Sequence, residues 1–237
     1  MINVYPASSR HSGDLGWLQF NFSFSFADYY DPDNVNFGPL RVFNEDYIQP
    51  SRGFGIHPHR DMEIVTVVLK GELKHEDNTG GAGLIRPGEV QRMTAGSGIL
   101  HSEVNASDTE VANLLQMWFL PEAKGLTPSY EQKAFDQGAM RNTLLPIVSN
   151  TIQGESIVSI HQDMSIYLSE PDAGTSIHYE GSASRKIFLF VMRGEVTLNG
   201  THTLGRSDSA RITDLAKLEI RSEQGAQFML IDLPGIE

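Results

Sequence analysis

Phe20, Phe22, Phe24 and Phe26 fall on every second residue of Trp17–Phe26 (WLQFNFSFSF). A strand turns alternate side chains to one face, whereas a helix would scatter these four rings around its circumference. The same pattern continues along the chain. Ile64–Leu69 (IVTVVL) suits a strand buried on both faces, and Leu114–Leu120 (LLQMWFL), Ser156–Ile160, Ile187–Met192 and Phe228–Leu233 read as further strands. The 22 Gly and 11 Pro are spread between these segments as punctuation and do not gather into one linker. Helical periodicity is weak, its best candidate being a short stretch at Tyr130–Gly138. Many short strands with frequent turns predict an all-β protein, a sandwich or barrel.

At 237 residues the chain is long enough for one large or two small domains. Hydrophobic residues make up 40% and charged residues 20%, which supports a packed core and excludes a mainly disordered chain. The net charge of −12, with no Lys/Arg-rich run, lacks the basic footprint of a nucleic-acid binder and would be repelled by anionic membrane surfaces. No cysteine is present, which removes disulfides, thiolate metal sites and cysteine nucleophiles together. The N-terminus, MINVYPASSR, has no signal-peptide pattern, and no window approaches the ~20 apolar residues of a membrane-spanning helix. The expectation is a soluble, cytoplasmic protein.

The two halves look like diverged repeats. VLKGEL, followed by LIRPGEVQRMT, is echoed by VMRGEV, followed by TLGRSDSARIT. Each runs strand, basic residue, Gly-Glu, strand, then a Gly turn into another strand. Pro121–Arg141 changes character, with Gly125, Pro128, Gly138 and several charges, and a domain boundary is expected there: residues 1–132 as one barrel and 133–237 as the other.

The polar constellation lies in the first half. His57 and His59 form an HPH triplet, and His101 and Glu103 an HSE triplet. In extended chain residues i and i+2 point the same way, so each pair offers two potential ligands on one face. Pro58 favours an extended His57 and gives no N–H to a ladder, which suits an edge or irregular strand. If the two strands face each other, they assemble three imidazoles and a carboxylate. That set suits a borderline divalent ion such as Fe, Mn, Co, Ni, Cu or Zn, with two positions of an octahedron left open. Taken singly, HPH is as readily two surface imidazoles or a hydrogen-bonded structural pair. His11, His75, His161, His178 and His202 lack comparable partners and read as surface or structural. Glu63 is a further ligand, a neighbour of the ligands or a salt-bridge residue. The second half does not repeat the pattern. Counting back from Gly194 as His57 and His59 precede Gly71 reaches Glu180 and Ser182, and His178 with Glu180 is a lone HYE; the second barrel is expected to hold no metal.

These residues resemble the pirin family of the cupin superfamily, from about Arg10 to Glu131 and more weakly to the C-terminus. The segments that carry the resemblance are FSFADYYDP (Phe24–Pro32), FGPLRVFNED (Phe37–Asp46), GFGIHPHRDMEIVTVVLKGEL (Gly53–Leu73) and PGEVQRMTAGSGILHSE (Pro87–Glu103), continued by LLQMWFLP and PSYEQ. The resemblance implies a bicupin, two tandem jelly-roll β-barrels, with metal in the N-terminal barrel alone. It places the ligands at His57, His59, His101 and Glu103 and leaves Glu63 beside them. It also implies one divalent transition metal, iron(II) first, with Mn, Co, Ni, Cu or Zn compatible.

Bacterial relatives of this type imply a quercetin 2,3-dioxygenase. A flavonol would bind the metal through its 3-hydroxyl and neighbouring carbonyl, Glu103 would help take the hydroxyl proton, and O2 would open the ring with release of carbon monoxide. Aromatic side chains with Met93 or Met117 would supply an apolar pocket. The expected partners are thus a small flavonol-like aromatic and O2, with no nucleic acid and no membrane, and the chain is expected to be a monomer. The alternative is a metal-dependent regulatory or redox-sensing protein without turnover, acting through a protein partner.

Overall fold

A computed structural model describes residues 1–235. The strands of the first part of the chain are β1 (Ile2–Tyr5), β2 (His11–Asp14), β3 (Leu18–Phe22), β4 (Leu40–Ile48), β5 (Gly53–His59), β6 (Glu63–Lys70), β7 (Leu73–Asp77), β8 (Ala82–Ile85), β9 (Glu89–Thr94), β10 (Ile99–Asn105), β11 (Ala112–Phe119) and β12 (Ser129–Ala134). Those of the second part are β13 (Leu145–Ser149), β14 (Ser165–Ser169), β15 (Thr175–Glu180), β16 (Lys186–Gly194), β17 (Val196–Leu198), β18 (His202–Leu204), β19 (Ser209–Ile212), β20 (Lys217–Ser222) and β21 (Ala226–Leu233). The described helical structure is two short 3-10 turns, Ala7–Ser9 and Gln137–Met140. Among the described residues no helix is long and apolar enough to cross a membrane.

The strands form two compact units. One comprises His11–Phe135 and Gln153–Gln162; the other comprises Met1–Arg10, Asp136–Ile152 and the chain from Asp163 onward. The first ten residues therefore belong with the later strands, where β1 pairs with β19, and a short later segment belongs with the earlier ones.

Each unit is a jelly-roll sandwich. In the N-terminal unit a seven-stranded sheet, β12-β9-β6-β11-β4-β3-β2, accompanies a four-stranded sheet, β5-β10-β7-β8. Leu18, Ile48, Val68 and Leu114 from the first sheet pack with Leu73 and Ile85 from the second, so the core fills the space between them. β6 is buried along nearly its whole length, as its β-branched run requires. The C-terminal unit repeats the arrangement. Its sheet β19-β16-β21-β14-β13 has the strand order of β9-β6-β11-β4-β3, and β15-β20-β17-β18 has that of β5-β10-β7-β8. The VLKGEL and VMRGEV repeats thus sit on equivalent strands, β6 and β16. Gly71 and Gly194 close them with φ of 73° and 74°. A Cβ on Gly194 would lie 2.5 Å from the Gly225 carbonyl oxygen.

Three expectations are corrected. The phenylalanine strand ends at Phe22. Ser23 and Ser25 then bond their N–H groups to Phe43 and Asn34, and a turn at Ala27 (φ 50°) leads the chain away from the sheet. Phe24 is nevertheless wholly buried. Ser156–Ile160 is irregular, although Val158 and Ile160 are buried as an alternating pattern requires. Side chains satisfy its backbone: Arg92 Nε donates to the Ser159 carbonyl (2.9 Å), Lys133 Nζ to that of Ile157 (2.7 Å), and the Ser159 N–H donates to Glu131 (3.0 Å). Of the expected helix Tyr130–Gly138, Tyr130–Ala134 belongs to the strand β12, paired with β9, and only Gln137 and Gly138 are helical, opening the 3-10 turn.

Candidate metal centre

β5 is an edge strand, as Pro58 within it suggests, and pairs antiparallel with β10. The register puts His57 opposite His101 and His59 opposite Ile99. Between His101 and Glu103 the register slips through a bulge, so that Glu103 lies opposite Phe54. Gly53 permits the close approach: a Cβ there would overlap the Glu103 carbonyl oxygen and lie 2.5 Å from the Val104 Cα.

The ligand-capable atoms of His57, His59 and His101 lie within 4.8 Å of one another. Glu103 belongs to an overlapping group with His101 and His75, so the four residues singled out in the sequence fall into two groups that share His101. Glu63 is in neither. It is wholly buried, and one carboxylate oxygen accepts from the His161 N–H at 3.1 Å.

The nitrogens of the cluster are prepared to accept a cation. His57 Nδ1 donates to the Gly55 carbonyl at 2.7 Å, so Nε2 is the nitrogen left for a ligand role. Burial first, and the neighbouring His57 second, push His59 down to about 4. Burial and the adjacent His57, His59 and His75 push His101 down to about 3. Both rings are therefore neutral at neutral pH. Nε2 of His59 and Nε2 of His101 are buried without a hydrogen-bond partner. An orphaned buried polar atom costs ~1–3 kcal/mol, so the arrangement fits a divalent cation that would occupy these lone pairs.

Glu103 is buried and bonded by Gln116, whose Nε2 lies 3.0 and 2.9 Å from its two oxygens. Burial raises its pKa, against the opposing pull of Gln116, His75 and His57. The Gln116 amide is oriented in turn by Trp118, whose Nε1 donates to Oε1 at 3.1 Å. The Trp118 ring meets His59 edge-on at 4.7 Å and Phe26 at 5.1 Å. It also lines a cleft of about 330 Å³ with Phe26, Tyr29, Tyr30, Met62 and Arg41. Met93 packs near this wall in a cluster that includes Met62 and Trp118; Met93 and Met117 are both fully buried.

His75 is not a surface residue. It is fully buried, opposite Glu103 in the β10–β7 pairing, and its partner is Asp77. The signal was present in the sequence as HED, which repeats the i, i+2 spacing of HPH and HSE. Burial alone would raise Asp77, but hydrogen bonds from Thr79, His75 and Gly81 hold it below the usual carboxylate range. His161 likewise has a carboxylate neighbour, Glu63.

In the C-terminal unit the corresponding pair is β15 and β20, with Ile177 opposite Ile220 and Tyr179 opposite Leu218. These side chains point into that unit's apolar core, whereas His178 and Glu180 of the HYE triplet are exposed. Counting back from Gly194 by the same distances therefore stops three residues short of the equivalent residues. Fifteen positions separate Tyr179 from Gly194 where twelve separate His59 from Gly71.

Comparison with known proteins agrees along the whole chain. Residues 5–119 match the family model Pirin, and residues 146–233 match the Quercetinase C-terminal cupin domain. A protein of Escherichia coli strain K12 named quercetin 2,3-dioxygenase is 39% identical over 236 residues, covering 100% of both chains. A pirin-like protein of Caulobacter vibrioides is 37% identical, covering 98% of this chain and 99% of its own. Among solved structures, the bacterial pirin YhhW of Escherichia coli in complex with nickel(II) superposes with a TM-score of 0.93 at 38% identity, covering 100% of both chains.

Proposed function

The chain belongs to the pirin family, and on that premise we propose that it is a metal-dependent dioxygenase that opens a flavonol ring with O2 and releases carbon monoxide. The observation that carries the proposal is the cluster of three imidazoles, two of them neutral and with buried, unpartnered Nε2 atoms, beside an aromatic-walled cleft. Its support from relatives is the name quercetin 2,3-dioxygenase given to a protein 39% identical over the full length.

His57, His59 and His101 are the neutral ligands in this proposal, and Glu103 supplies the anionic one. Three imidazoles and a carboxylate without thiolate accept several divalent transition ions. Iron(II) is the ion proposed, and nickel(II), found in complex with the similar bacterial pirin, is compatible with such donors. When bound, the ion would supply Lewis-acid and redox chemistry toward the substrate and O2.

Trp118 and Phe26 hold the flat rings of the substrate at the cleft wall. Its volume is at the small end for ligand sites, which suits a compact planar molecule. Glu103 takes the proton from the flavonol hydroxyl. Gln116 keeps the carboxylate aimed throughout. The balance is one flavonol and one O2 giving one depside and one carbon monoxide. Turnover of quercetin under 18O2 tests it: both labelled atoms should enter the depside, with carbon monoxide released in equal amount. Label from water, or no carbon monoxide, would refute the reaction.

A further inference from the structure

β10 is shared between two neighbours. On one edge it faces β5 and the histidine pair; on the other it faces β7, which places His75 opposite Glu103 and Asp77 opposite His101. The side chains of His75 and Asp77 are 0% exposed. His75 Nε2 lies 3.1 Å from Asp77 Oδ2, and His75 Nδ1 lies 3.4 Å from His101 Nδ1. The second Asp77 oxygen, Oδ1, accepts from the Thr79 N–H (2.8 Å), the Thr79 hydroxyl (2.6 Å) and the Gly81 N–H (3.0 Å). Glycine at 81 makes room for this carboxylate, because a Cβ there would overlap Oδ2 and lie 2.8 Å from the Tyr130 Cβ. The Tyr130 ring stacks on His75 at 4.7 Å and fixes its plane.

With one hydrogen on each ring, these contacts admit one consistent assignment of the protons. A carboxylate only accepts, so the hydrogen of His75 sits on Nε2. His75 Nδ1 is then a bare acceptor, and the facing His101 Nδ1 must donate. That leaves His101 Nε2 without a hydrogen, which is the nitrogen buried with no partner in the cluster.

We propose that Asp77 and His75 form a relay of two hydrogen bonds that locks His101 in its Nδ1–H tautomer and so keeps Nε2 available as a metal donor. Both are positioning residues that act through His101. Ligating histidines usually donate their other N–H to an oxygen acceptor, and loss of such a partner typically costs 10–100-fold in metal affinity. Here a second imidazole is interposed, so the sign of the whole chain is set by the acceptor at its far end. The consequence for metal rests on the function proposed above; the tautomers themselves belong to the metal-free protein.

The substitution Asp77→Asn keeps the shape and reverses the chain. Its carbonyl oxygen remains committed to Thr79 and Gly81, so its NH2 faces His75 Nε2. His75 must then accept at Nε2 and donate from Nδ1, and His101 must carry its hydrogen on Nε2, toward the metal position. Two measurements decide the matter. 15N-histidine NMR of the metal-free wild type should report His75 as Nε2–H and His101 as Nδ1–H; the opposite tautomers overturn the relay, whatever becomes of the variant. Zinc affinity, measured by competition with a chromophoric chelator, should fall 10–100-fold in folded Asp77→Asn, with both tautomers inverted. A folded variant with wild-type tautomers or affinity within twofold of wild type also overturns it. A wild type that takes up no zinc while showing the expected tautomers refutes the metal reading and the relay's role in it, but not the proton assignment.

Discussion

Glu103→Gln should move stability and metal affinity in opposite directions. Glu103 is 3% exposed, and in the metal-free protein its ionised form sits in the interior with Gln116 as its hydrogen-bonding partner. Burial of an ionised group costs several kcal/mol after relaxation, and hydrogen bonds to a charged group return about 1.5–3 kcal/mol. The difference leaves a net cost of roughly 1–3 kcal/mol, which the neutral amide removes while keeping one of the two acceptors that Gln116 meets. A change of 1 kcal/mol moves the melting temperature of a domain of this size class by about 2–4 °C, so the metal-free variant should melt about 2–12 °C higher. The pH dependence has a definite sign. The folded-state pKa is raised above the ordinary 4.5, so metal-free wild type loses stability as pH climbs from 4.5 through the raised value, and Glu103→Gln lacks that slope. With metal the order reverses, because the variant has lost the anionic donor. Both tryptophans, Trp17 and Trp118, lie in the N-terminal unit, so their fluorescence reports its melting. A metal-free variant that melts lower than wild type, or one that binds metal as tightly, would refute the reasoning.

Chelation of the metal from loaded wild type should lower that same melting transition by about 5–10 °C, since ligand at 100 times Kd contributes about 2.7 kcal/mol; an unchanged transition would show that no ion occupied the site. Gly53→Ala should cost about 1–3 kcal/mol, because the new Cβ meets Glu103 and Val104 backbone that no side-chain rotation can relieve. It should also weaken metal binding, and calorimetry would detect a site that survives intact. Glu131→Gln should loosen the 153–162 segment. Burial alone would raise Glu131, but its bonds with Ser159 and Lys133 hold it at about 2. Its contribution, about 1 kcal/mol after discounting for partial exposure, is present above pH 4.5 and is lost as pH falls toward 2. Faster proteolysis within 153–162 at neutral pH, converging with wild type near pH 2, is the expected result.

The sequence was most legible where a period maps directly onto geometry. The HPH and HSE triplets sit on paired strands because i and i+2 share a face, and β5 lies at an edge where Pro58 leaves no ladder bond missing. The repeat VLKGEL/VMRGEV fell on equivalent strands because both glycines end their strands with positive φ. What escaped depended on distant partners. His75 and Asp77 carry the same spacing, but their burial comes from β8, β10 and Tyr130, which no local window contains. Ser156–Ile160 has a strand's alternation without a strand's ladder, because Arg92, Lys133 and Glu131 side chains satisfy its backbone. Tyr130–Gly138 carries the charges of an exposed helix, yet its first residues complete a sheet beside β9. The offset of three residues between the two units arose in the connection before β16, where the count assumed equal loops.

Turnover is proposed to belong to metal held at His57, His59, His101 and Glu103. The most direct test follows quercetin loss and O2 uptake in protein loaded with iron(II) to graded occupancy, with metal content determined on each sample. Both rates should rise in proportion to occupancy and vanish in His101→Ala. Fully loaded protein that leaves quercetin and O2 untouched, or turnover that persists without metal, would contradict it.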